Sequence, residues 1–126
     1  MLENEISALI VDVTYRVHKE LGPGLLETVY EAAMAYEFDQ IGIAYQRQLA
    51  CPVPYRGEVL SDIGFRMDFL VASKVIVEIK SVEKITPVYP KIVLTYLKLS
   101  EKKLALMINF NVALIKDGIQ RIVNGL

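Results

Sequence analysis

The chain has 126 residues, of which 53% are hydrophobic and 23% charged; its 14 basic and 15 acidic side chains give a formal net charge of -1. This length and composition describe one ordered domain over residues 1–126 with a proper core, and exclude a disordered or low-complexity chain. The near-neutral charge excludes a strongly basic stand-alone nucleic-acid binder, so any nucleic-acid contact must come from a local patch or a partner.

The N-terminus, Met1-Leu-Glu-Asn-Glu, is acidic and lacks the basic opening of a signal peptide. Ile6, Ile10, Val13, Val17 and Leu21 then recur at helical spacing, which predicts an amphipathic helix over residues 4–21. Gly22-Pro23-Gly24 stops it. His18, the only histidine, reads as a surface or satisfied packing residue. A second helix is expected over residues 25–41, with Leu26, Val29, Ala33, Tyr36 and Phe38 on its apolar side and Gly42 at its end. Glu27 falls in the first turn, where a carboxylate is favoured by the helix dipole and can cap the helix. It can equally point out of the helix start toward a site. Tyr30 is three residues on, on the same side, placed to hold that carboxylate or simply to pack.

Residues 43–60 predict two short strands around the turn Tyr55-Arg56-Gly57-Glu58, with Pro52 and Pro54 marking an edge position. Arg47, Gln48 and Arg56 could contact phosphate, although scattered polar residues on an edge strand are usually just solvated. Cys51, the single cysteine, excludes an internal disulfide, reads as a packing residue and fits a reducing compartment.

The runs Phe65-Arg66-Met67-Asp68-Phe69-Leu70-Val71 and Val75-Ile-Val-Glu78-Ile-Lys80 are apolar and rich in strand formers, yet each carries charge. Side chains two apart on a strand share a face, so Glu78 and Lys80 point the same way. A three-residue loop, Ala72-Ser73-Lys74, would pair Asp68 with Glu78, their Cβ atoms about 5 Å apart, and leave Lys80 diagonal to Asp68. A two-residue loop would turn one set of side chains to the other face. Two converging carboxylates offer a hard oxygen site for Mg²⁺ or Mn²⁺, and a neighbouring lysine can orient a water or stabilise developing charge. On these residues alone a salt-bridged hairpin is the plainer reading.

A polar connector leads to Pro87, which can open a helix running to about Leu99 with Val88, Ile92, Thr95, Tyr96 and Leu99 at helical spacing. Residues 104–110 read as a buried strand and residues 118–123 as a final short one. A helix between the Glu78 strand and the 104–110 strand permits a parallel pair through a right-handed crossover. The expected architecture is α/β, a mixed central sheet flanked by helices. No apolar run reaches membrane-spanning length, and a cytoplasmic protein without membrane association is expected.

Gly24-Leu-Leu-Glu27-Thr-Val-Tyr30 resembles the signature of the GxxExxY protein family. Leu21-Gly-Pro-Gly24, Arg66-Met-Asp68, Glu78-Ile-Lys80, Thr95-Tyr96-Leu97 and Ile108-Asn109-Phe110 match its surroundings in order over nearly the whole chain. That family is similar to the PD-(D/E)XK nucleases. The resemblance implies a restriction-endonuclease-like fold and metal-dependent cleavage of DNA or RNA with Mg²⁺ or Mn²⁺. It implies Asp68 and Glu78 as metal ligands, Glu27 completing the acidic site, and Lys80 positioning water or stabilising charge. Tyr30, Arg66 and Tyr96 become candidates for supporting roles. One departure stands out: related nucleases often carry Gln-x-x-x-Tyr on a later helix, and here Tyr96 is kept while Ile92 stands at the Gln position. Ile cannot hydrogen-bond a lysine, a water or a phosphate. The alternative is therefore a weak or inactive nuclease-like module that binds nucleic acid, a protein partner or a second copy of itself.

Overall fold

The computed structural model describes residues 1–126. Its elements in order are α1 (Glu3–Leu21), α2 (Glu27–Ile41), β1 (Tyr45–Tyr55), β2 (Glu58–Val71), β3 (Val75–Lys80), α3 (Val88–Ser100), β4 (Leu104–Asn109), a 3₁₀ turn (Ile115–Asp117) and β5 (Ile119–Val123). The five strands form one sheet in the order β1-β2-β3-β4-β5. Only β3 and β4 run parallel, joined through α3, the pairing that the intervening helix permits. No helix is long and apolar enough to cross a membrane.

The sheet has helices on both faces. On one side α1 and α2 bury Ile6, Ile10, Val13, Val17, Tyr30, Met34 and Phe38 against Val75, Val77, Ile79, Leu104, Leu106 and Ile108. On the other, Val93 and Leu97 of α3 pack on Leu70, Ile76, Ala105 and Met107. A strand covered on both faces reads as a continuous apolar run, which is why β3 and β4 show no alternation.

The helix bounds match the spacing, but two of the faces do not. Leu26, Val29 and Tyr36 are exposed, and α2 instead buries Tyr30, Met34, Ala35 and Phe38. The helix carries apolar residues nearly all round, so no single stripe marks its inner side. In α3 the buried residues are Val93 and Leu97, while Val88 is exposed.

β2 is one strand of 14 residues, not the separate pieces expected before and after residue 60. Its first half pairs only with β1 and extends past the sheet as a two-stranded arm, exposing Tyr55, Val59, Leu60 and Ile63. β1 lies at the sheet edge, as its two prolines require. Gln48, in the middle of β1, has a left-handed φ of 51°. Register is kept on both sides of it, with Arg47 opposite Phe69 and Leu49 opposite Met67. Yet Phe69 packs toward α1 and α2 whereas Met67 and Phe65 pack toward α3. The ribbon therefore turns over at Gln48 and Asp68.

Candidate active site

The β2–β3 loop has the odd length that the pairing needs: Val71 lies opposite Val75, Leu70 opposite Ile76 and Phe69 opposite Val77, leaving Ala72, Ser73 and Lys74 between the strands. Ala72 and Ser73 take left-handed φ values of 49° and 59° to close it. The ladder ends at Phe69 and Val77, just before the two acids. There the side chains replace the backbone pairing. An Asp68 carboxylate oxygen, Oδ2, accepts the Ile79 N–H at 2.8 Å, and Glu78 Oε2 accepts the Asp68 N–H at 3.4 Å.

Glu78 is only 7% exposed, and its second oxygen, Oε1, is buried with no hydrogen-bond partner. Burial first, and then the charge of Asp68, push its carboxyl up to about 9, against an opposing pull from Lys80. A buried carboxylate beside another is costly unless a cation answers it. Lys80 does not form that ion pair. Its Nζ lies over the Tyr89 ring, 4.4 Å from the centroid, and the one salt bridge of the chain joins Arg47 to Glu31. The plainer reading of a salt-bridged hairpin is thereby corrected.

Glu27, Asp68, Glu78 and Lys80 line one cavity of about 320 Å³, together with Arg66, Tyr89, Ile92 and Tyr96. Asp68 and Glu78 are in contact, but no group of three or more His, Cys, Asp or Glu side chains gathers at metal-binding spacing. Glu27 stands at the first residue of α2 and its Oε2 accepts the Ser81 N–H at 3.4 Å. The candidate donors are all carboxylate oxygens, and one of them is buried without a partner, which suits a hard divalent cation.

Tyr30 does not reach the Glu27 carboxylate. Its hydroxyl donates to the Gly22 carbonyl at 2.6 Å and accepts the Leu25 N–H at 3.1 Å, while its ring stacks on Phe110 with centroids 4.4 Å apart. The tyrosine thus ties down the loop that delivers Glu27. Tyr96 stacks on Phe65 at 4.4 Å; burial, followed by the charges of Glu78 and Asp68, raises its phenol. Arg66 is exposed at the cavity wall and Ile92 faces the same space.

Spacing gave no sign of the supports beneath these groups. Gln48 donates to Asp68 Oδ1 at 3.2 Å and also to Glu31, which in turn holds Arg47 at 2.7 Å. This chain links α2 to Asp68, so Arg47 and Gln48 are engaged within the protein. Asn109 lies beside Lys80 in the parallel ladder. Its amide accepts the Val82 N–H at 3.1 Å and donates to the Val82 carbonyl at 2.9 Å, fixing the chain just past Lys80. The only sign was its place in the Ile108-Asn109-Phe110 match, where an amide ends an apolar strand.

His18 and Cys51 are accounted for by packing, while Arg56 is exposed over the Tyr55 ring at the turn of the β1–β2 arm, away from the acidic cavity. His18 Nε2 sits 2.9 Å from the Val112 carbonyl. Cys51 is half-buried, and its thiol is raised by burial and then by the charge of Glu78, so it is no ready nucleophile. A larger cavity of about 430 Å³ lies between α1 and residues 113–116, lined by apolar and basic groups with no carboxylate.

A family model for the PD-(D/E)XK nuclease superfamily matches residues 4–122. The chain belongs to the PD-(D/E)XK nuclease superfamily. Its five-stranded mixed sheet between helices is the restriction-endonuclease-like fold of that superfamily. No curated protein and no solved structure matches the chain. The nucleases of this superfamily generally use divalent metals, and they act on nucleic acid.

Proposed function

We propose that this protein is a Mg²⁺- or Mn²⁺-dependent phosphodiesterase that hydrolyses DNA or RNA, and that it belongs to the GxxExxY group within the superfamily. The observation that carries the reading is the unpartnered Glu78 Oε1, buried against Asp68 in a cavity that also holds Lys80 and Glu27. Gly24, Glu27 and Tyr30 support the group assignment, since Tyr30 clamps the loop that presents Glu27.

Asp68 and Glu78 would hold the cation, with Glu27 completing the acidic wall. A divalent ion bound there supplies Lewis acidity, lowering the pKa of water and polarising a phosphoryl oxygen. Lys80 orients the attacking water or neutralises charge developing on the phosphate, its amine held over Tyr89. Arg66, exposed at the cavity wall, contacts a phosphate, and Tyr96 borders the two carboxylates.

A second reading has its own support. Ile92 faces the cavity where a glutamine would offer a hydrogen bond, and the β1–β2 arm exposes Tyr55, Val59, Leu60 and Ile63. Both fit a weakly active module that docks on a partner or a second copy of itself. Incubating purified protein with single- and double-stranded DNA and RNA in Mg²⁺ or Mn²⁺ separates the two. Hydrolysis abolished by Glu78→Ala and by Lys80→Ala supports the enzyme; hydrolysis that survives both substitutions sinks it.

A further inference from the structure

Beside the acidic cavity lies a second one of about 330 Å³, and Glu27 forms the wall between them. Its chemistry is different. Leu25 and Leu26 supply an apolar surface, and Thr28 and Ser81 supply hydroxyls. Leu26 is 75% exposed although it directly precedes the helix.

The segment that carries the leucines is held by two residues, Tyr30 and Ser81. Tyr30 bonds Gly22 and Leu25, the Ser81 hydroxyl donates to the Leu25 carbonyl at 2.6 Å, and the Ser81 N–H reaches Glu27. The apolar surface is therefore shaped before any ligand arrives, and little ordering is lost on binding.

Building on the phosphodiesterase reading, we infer that this second cavity receives an unpaired nucleobase while the adjoining phosphate lies at Asp68, Glu78 and Lys80. The substrate class is single-stranded or locally unpaired nucleic acid and not a continuous duplex. A base and its phosphate are neighbouring units of one strand, and here a single side chain separates the two compartments. A base presents an apolar face to the leucines and a hydrogen-bonding edge to the Thr28 hydroxyl and to the Ser81 oxygen, which still has a lone pair to accept with after donating to Leu25. With a net charge of -1 the chain has little basic surplus for gripping a backbone by counterion release, so contact with the base has to contribute to binding. A base inside a continuous duplex must first leave its stack, and an unpaired one need not.

The test is fluorescence anisotropy with three labelled probes: a single strand, the same strand made wholly abasic, and a fully paired duplex. The protein carries Lys80→Ala, with Mg²⁺ present, so that the probes stay intact while a cation faces the phosphate at Asp68 and Glu78. Adding the uncharged Leu26→Ser should weaken single-strand binding about tenfold and leave the abasic strand unaffected, whereas Leu60→Ser, similarly exposed on the distant arm, should change neither. Equal single-strand affinity with and without Leu26→Ser, no single-strand binding at all, or duplex binding as tight as single-strand binding would overturn the inference. Cleavage assays on the otherwise unaltered protein separate it from the reading beneath it. Lys80-dependent cleavage that ignores Leu26→Ser removes the base cavity alone, and Leu26-dependent binding without any cleavage removes the hydrolytic role alone.

Discussion

Asp68 and Glu78 each bond to the other's strand: Asp68 Oδ2 takes the Ile79 N–H at 2.8 Å, and Glu78 Oε2 takes the Asp68 N–H at 3.4 Å. The carboxylates do the work of ladder carbonyls at the point where β2 and β3 part. The same act that ends the ladder brings two acids together and leaves Glu78 Oε1 facing inward without a partner.

That buried acid sets a pH dependence. Its carboxyl is raised from an ordinary 4.5 to about 9. The folded chain therefore holds this proton more tightly than the unfolded chain does. Its contribution to stability is complete below the unfolded value and is lost as the pH rises through about 9. In chelator, the melting temperature should fall as the pH rises across that window, and Glu78→Gln should flatten the fall. Mn²⁺ should bind more tightly as the pH rises, by about tenfold per unit below the carboxyl's pKa, because binding displaces one proton. Melting curves and metal titrations at stepped pH check both.

Tyr30→Phe removes one hydroxyl and leaves the Gly22 carbonyl and the Leu25 N–H without it. The expected loss is about 1–3 kcal/mol of stability. Phe keeps the stack on Phe110, so the fold should survive. Cleavage should fall because Glu27 is less firmly placed, while Mn²⁺ affinity at Asp68 and Glu78 should change little. Denaturant titration and calorimetry separate the two effects.

Asn109→Ala breaks both bonds to Val82 and should cost about 1–3 kcal/mol. Asn109→Asp keeps the acceptor but turns an oxygen toward the Val82 carbonyl, so it should be no better than Ala. Since Lys80 precedes that carbonyl by two residues, kcat should drop more than KM rises. Kinetics on a labelled oligonucleotide would show the split.

Ile92→Gln tests the departure at α3. Ile92 already lines the cavity and is half-buried, so the longer amide has room to reach it. One added hydrogen bond to the lysine, a water or a phosphate should raise the cleavage rate by about tenfold. An unchanged rate would show that the glutamine position is idle in this chain.

The sequence made some of this legible for definite reasons. Hairpin arithmetic needs only a period of two and a loop length, and both held at residues 72–74, which is why Asp68 and Glu78 could be set opposite each other. The turn at Gly57 and the stop at Gly42 were legible because a left-handed backbone selects glycine there. The α2 face was not, because Val29 and Tyr36 are as apolar as the Met34 and Ala35 that the core selects. Nor was the reversal at Gln48, where a residue with no glycine-like signature adopts a left-handed conformation. Lys80 was placed on the right face, but its resting place over Tyr89 depends on α3 folding back across the sheet. Asn109 and Glu31 act through partners far along the chain, which no local pattern records.

The most direct measurement is calorimetric titration of Mn²⁺ into the purified chain and into Asp68→Asn. If Asp68 and Glu78 hold the cation, the parent chain binds Mn²⁺ stoichiometrically with proton release and the variant loses at least tenfold in affinity. Equal affinity in both, or no heat in either, would show that these carboxylates are not a metal site.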